Sequence, residues 1–129
     1  MNEFLWETTT SDAFLERLCA DCDADVIVAT HTGLHWTRRL SSGRHFVNCG
    51  VIGRPANDGT QRVWFCVLQA AGGQDVRVEF VPLAYDHERL AAEMRSERLP
   101  EEFIQTIETG WWTTCLEVLP GKERARGRF

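Results

Sequence analysis

A-D-V-I-V-A-T-H-T-G-L-H-W, residues Ala24 to Trp36, is the stretch on which the reading of the chain turns. Val26 to Ala29 is a short run of apolar residues, the pattern of a strand buried on both faces. It passes directly into Thr30-His31-Thr32-Gly33-Leu34-His35-Trp36, a polar segment with two imidazoles.

Upstream, Phe14, Leu15, Leu18 and Cys19 recur at helical spacing, which predicts an amphipathic helix from Asp12 to Cys22. Thr10, Ser11 and Asp12 are available to cap its start. Downstream, Leu34 to Leu40 and His45 to Asn48 read as extended, and Ser41-Ser42-Gly43 between them is a hairpin signal. Cys49 to Gly59 holds three glycines and a proline, so it is expected to be a loop with positive-φ positions. Gln61 to Gln69 and the alternating Val76 to Phe80 predict two more strands, with a turn at Ala70-Ala71-Gly72-Gly73. After Asp86 the apolar period lengthens to that of a helix, with Leu90, Ala91 and Met94 on one face. Pro100 is expected to occupy the first position of a further helix, which buries Phe103, Ile104 and Ile107 and stops at Gly110. Asp86 suits an N-cap, and Trp111 and Trp112 are expected to cover an edge of the core.

The 129 residues suffice for one domain, and a hydrophobic fraction of 43% with 26% charged residues is ordinary globular usage. Net charge is −5, yet Lys122, Arg124, Arg126 and Arg128 face only Glu123 at the C-terminus, which leaves an acidic body. That balance argues against a nucleic-acid partner, and the basic residues read as an unstructured, solvated tail. No apolar run approaches the roughly 18 residues that span a bilayer, and no export signal opens the chain, so a cytoplasmic protein without membrane contact is expected. The five cysteines at 19, 22, 49, 66 and 115 do not form a secreted disulfide framework. Cys19-Ala20-Asp21-Cys22 is a C-x-x-C, but at a helix end the dipole disfavours thiolate, and no second pair completes a zinc ribbon.

Three stretches in order resemble the C-terminal half of calcineurin-like metallophosphoesterases, in the small bacterial and archaeal phosphodiesterase branch. The segment Ala24–Trp36 resembles the family's buried strand and G-H-T-H-x-P metal motif. F-V-N-C-G-V-I-G-R-P-A-N-D-G, Phe46 to Gly59, resembles its N-P-G-S-V-G-x-P loop. V-E-F-V-P-L-A-Y-D-H-E-R-L-A-A-E-M-R-S-E-R-L-P-E-E-F, Val78 to Phe103, resembles its last strand, P-Y-D corner and closing helices. The resemblance covers roughly residues 3 to 110. It implies a mixed α/β fold, mainly antiparallel sheet with flanking helices, equivalent to half of the family's αββα sandwich. It also implies a single domain over residues 1–112 and a C-terminal extension with a basic tail over 113–129.

Such enzymes hold two metal ions with residues from D-x-H, G-D, G-N-H, a further histidine and the G-H-T-H pair. This chain contains no D-x-H, G-D or G-N, and would start just after the family's penultimate histidine motif. By the resemblance His31 matches the first histidine of the last motif, Gly33 replaces the second and Thr30 the leading glycine. Cys49, Gly50 and Val51 replace proline, glycine and serine in the next loop. His35, separated from His31 by three residues, is the residue that a loop is expected to bring to the same metal if the deficit is repaired. His31 and His35 are therefore the candidate metal ligands, each with an ordinary hydrogen-bonded histidine as the alternative. No catalytic residue is assigned and the substrate is not readable.

The functional expectation is a truncated or degenerate metallophosphoesterase-like protein, a pseudoenzyme as an isolated chain. It needs no cofactor alone and takes a divalent metal (Mn, Fe, Zn or Ni) if a partner completes the site. A homodimer or a chain carrying the N-terminal half is the expected partner. The alternative is a non-catalytic interaction module that uses the exposed domain seam, and a redox or metal-storage role for the cysteines is a third reading.

Overall fold

The computed structural model describes residues 4–70 and 75–124. Helix α1, Asp12–Asp21, opens with Ser11, whose hydroxyl accepts from the Phe14 amide, and closes at Cys22. Five strands follow: β1 Val26–Ala29, β2 His35–Arg39, β3 His45–Cys49, β4 Val63–Ala70 and β5 Val76–Leu83. Helices α2 His87–Ser96, α3 Glu101–Thr109 and the short α4 Gly121–Arg124 complete the order. Among the described residues no helix is long and apolar enough to cross a membrane.

The strands form two sheets. In the first, β3 lies between β1, its parallel neighbour, and β2, its antiparallel one. The Ser41-Ser42-Gly43 turn makes the β2–β3 hairpin, with Gly43 at φ 89° and Leu40 N donating to Arg44 O at 2.8 Å. In the second, β4 and β5 pair antiparallel from Val63↔Leu83 to Ala70↔Val76. Beyond Ala70, the turn expected between them lies outside the described residues.

The strand expected to be buried on both faces is an edge strand instead. Among the described residues β1 pairs with β3 alone, and Val28 is 51% exposed. β3 takes the centre, with His45, Phe46, Val47 and Asn48 all buried. Four consecutive apolar residues mark a strand, but not which strand lies in the middle.

One face of the first sheet packs on α1 through Leu15, Cys19, Trp36, Leu40 and Phe46. On its other face β3 meets both β4 and β5. There the His35 ring lies against Trp64 and Phe80, at centroid distances of 4.3 and 4.8 Å. Arg39 reaches β5 as well, donating to Asp75 and to Val76 O. A second core gathers Trp6, Leu34, Ala56, Trp112 and Leu119.

Helices α2 and α3 pack on each other, and Arg95 bridges Glu108 and Glu101 at 2.8 and 3.0 Å. Asp86 caps α2 by accepting from Arg89 N. Pro100 stands at the N-cap of α3 rather than at its first position. Ile104 and Ile107 are buried as expected, but Phe103 is 44% exposed, so the buried stripe is narrower than the apolar pattern implied. Gly110 ends the helix at φ 72°, and a Cβ there would lie 2.2 Å from Thr60 O.

The basic segment read as unstructured begins with helical structure. Glu123 in α4 is buried and accepts from Thr8 N at 3.0 Å, and Leu119 joins the core beside Trp6 and Leu34.

Candidate functional site

Because β1 and β3 are parallel, the loops that follow them leave the same end of the sheet, the place where α/β sheets usually hold ligands. Both motif segments lie in these loops, and short polar contacts lock them together. Thr30 Oγ1 donates to Gly50 O. Asn48 Nδ2 donates to Thr32 Oγ1 at 2.6 Å, while Asn48 Oδ1 accepts from Gly50 N at 3.0 Å. A Cβ at Gly50 would come within 3.2 Å of Gly33 O and 3.3 Å of His35 N, so only glycine fits this contact comfortably.

His31 is exposed at φ 85°, an uncommon conformation for a residue with a Cβ. Its ring stacks on Phe4 with centroids 5.7 Å apart. His35 stands in β2, packed against Trp64 and Phe80 as described. The two expected ligands thus occupy different surroundings: one on an outward loop, the other in the contact between sheets. Among the described residues no group of three or more His, Cys, Asp and Glu is gathered for a metal ion. Zinc sites use three or four protein donors, so these residues do not by themselves fit a metal centre.

Beside His31 lies a cavity of about 320 Å³. Phe4, Trp6, Thr32, Gly33, Arg54 and Trp112 contribute to its wall. Trp112 is fixed at both polar ends, its backbone N donating to Asn57 Oδ1 at 2.8 Å and its Nε1 to Pro55 O at 2.6 Å. A Cβ at Gly33 would reach within 2.6 Å of the Trp112 ring, so the absence of a side chain at this position is what admits the indole. The Arg54 guanidinium lies 3.9 Å from the Trp112 ring centroid. Its Nη2 donates to Thr114 O and Oγ1 at 2.9 and 3.0 Å. Burial lowers the Arg54 pKa, partly offset by Cys115, but arginine remains a cation.

Sequence reasoning passed over Arg54, Asn57 and Trp6, and it assigned Trp112 to packing. An arginine in the R-P-A-N stretch of a glycine-rich loop was the available signal for Arg54. Its stacking partner, however, lies 58 positions along the chain, beyond any local spacing rule.

The cysteines are free. Cys19 is buried, with burial raising its pKa, while Cys22 is exposed at the end of α1. Cys66 in β4 is pushed up to about 11, by burial first and then by the neighbouring Cys49 thiol.

No protein-family model and no curated protein matches the sequence. Solved structures that the fold matches in part include the following two. A metallophosphoesterase from Sphaerobacter thermophilus superposes with a TM-score of 0.62 at 21% identity, over 82% of this chain and 51% of that one. A hypothetical protein from Pyrococcus horikoshii OT3 gives 0.64 at 19% identity, over 81% of this chain and 40% of the other. This chain is thus a mixed α/β fold, with small sheets and flanking helices, that matches part of a metallophosphoesterase structure. It spans about half or less of the length of the structures it matches.

Proposed function

We propose that this chain corresponds to the C-terminal half of a metallophosphoesterase and does not hydrolyse phosphate esters by itself. It completes a phosphoesterase site with a second chain that carries the D-x-H, G-D and G-N-H motifs. The observation that carries this reading is the presentation of His31, an exposed imidazole on a loop held by Thr30, Asn48 and Gly50. An exposed imidazole on a pinned loop, with too few neighbouring donors, suits a site shared between chains. His35, packed between aromatic rings, is the weaker candidate ligand.

A second reading, an interaction module that works without chemistry, is supported by the apolar side chains left in water. Val28 on the edge strand, Phe65 and Leu68 on β4, and Leu83 on β5 are each between 38% and 51% exposed. Such residues suit a contact with a second copy or with an N-terminal-half chain.

Manganese-dependent hydrolysis of bis(4-nitrophenyl) phosphate tests both readings. The expected result is no turnover by the chain alone, and turnover on adding a chain with the missing motifs that His31→Ala removes. Turnover by the chain alone that depends on His31 would overturn the proposal. Binding to the second chain without turnover would favour the interaction module.

A further inference from the structure

We infer that the cavity beside His31 is a binding site for an aryl carboxylate, a flat aromatic ring system carrying one negative charge. The volume, about 320 Å³, lies at the lower end of the range of small-molecule sites, roughly 300–1,000 Å³, and suits one or two fused rings. The walls are flat and aromatic. Phe4 stacks on Trp6 with centroids 5.9 Å apart and planes 7° from parallel, and the His31 ring also stacks on Phe4, with centroids 5.7 Å apart. Trp112 forms a further wall, already locked by Asn57 and Pro55, so little ordering cost remains to be met on binding.

Charge sets the second half of the specificity. Arg54 is the permanent cation lining this cavity among the described residues, and Glu117 lines it as well. The Glu117 carboxylate partly offsets the Arg54 charge, which disfavours a phosphate dianion more than a monoanion. Nη2 of Arg54 is committed to Thr114, while its buried Nε has no hydrogen-bond partner among the described residues and is the charged donor left for a ligand. Stacking on Trp112 holds the guanidinium in plane, so a carboxylate meets a donor already oriented. The inference rests on the cavity and Arg54, and it holds whether or not His31 meets a metal.

The test is an NMR titration of the ¹⁵N-labelled full chain with 2-naphthoate in a chelator-containing, metal-free buffer. The expected result is a saturable shift of the Trp6 and Trp112 indole N–H signals and of the Thr32 and Gly33 amides. The neutral analogue 2-naphthamide should bind about tenfold more weakly, the scale of one charge-assisted hydrogen bond. Arg54→Met should bring the acid down to the affinity of the amide while leaving the amide within about twofold. Val51→Trp, which fills the cavity from its rim and keeps Arg54, should abolish binding of both. Shifts confined to the exposed β4–β5 residues, equal affinity of acid and amide for the unmodified chain, or retained binding in a folded Val51→Trp variant would overturn the inference. The acid–amide comparison needs no variant, so it stands even if Arg54→Met fails to fold. Hydrolysis is not a readout, so failure here is separable from failure of the shared phosphoesterase site.

Discussion

β3 and β4 are consecutive strands with opposite burial. In β3 four of five residues are buried, and the fifth, Cys49, is half-buried. In the eight residues of β4 only Val63 is buried, and Phe65 and Leu68 stand in water. Strand β3 has α1 on one face and the second sheet on the other, so its apolar residues are covered within the chain. The β4–β5 ribbon is anchored through Trp64 and Phe80 against His35. A two-stranded ribbon has little stability of its own. The contrast separates a region that finishes its own core from one that leaves apolar surface unspent.

Truncation in each strand tests that contrast most strongly. Phe46→Ala, at a fully buried site, is expected to cost about 3–5 kcal/mol in urea unfolding, whereas Leu68→Ala should change stability by about 0.5 kcal/mol or less. Equal losses would mean that the ribbon is as well packed as the sheet.

The junction between regions comes next. Gly110→Ala puts a methyl group against the Thr60 backbone in a left-handed conformation, and it should cost roughly 2–3 kcal/mol. Retained thermal stability would show that the α3 end can move away from the β4 approach. Asn57→Ala removes the acceptor of the buried Trp112 amide, for a loss of about 1–3 kcal/mol. Trp112 fluorescence should also become more mobile, and an unchanged anisotropy would show that the Pro55 contact alone fixes the indole.

The smallest effect is in pH. Burial, then Arg39, lowers the His45 pKa below its ordinary 6.5 in the folded chain, so the unfolded chain binds this proton more readily. The contribution is fully present above pH 6.5 and is lost as pH falls through the lower folded value. His45→Gln should therefore flatten the stability slope below pH 6.5, and an unchanged slope would assign it to other groups.

Local chemistry was legible in the sequence, and long-range placement was not. The Ser11 and Asp86 caps, the Gly43 turn and the Gly110 stop each depend on neighbours within a few residues. The mixed α/β class followed from the same signals and from the motif order. The sequence does not show that β1 lies at the sheet edge, because apolarity identifies a strand and not its neighbours. The exposure of Phe103 is not legible either, because helical spacing does not say how wide the covered stripe is. At the site, the two loops were legible as segments, but their interlock through Asn48 and the meeting of Gly33 with Trp112 depend on tertiary packing.

The contact of the Glu123 carboxylate with the Thr8 amide ties the first described turn to the last helix. In topological terms the described residues from Thr8 to Glu123 close almost into a ring, so the order in which their pieces are connected is separable from the shape they make. A circular permutant joined across that contact and opened within Ser41-Ser42-Gly43 should keep the same two sheets. The same closure lets the fold be inserted as a unit within a larger polypeptide, entering and leaving at one place.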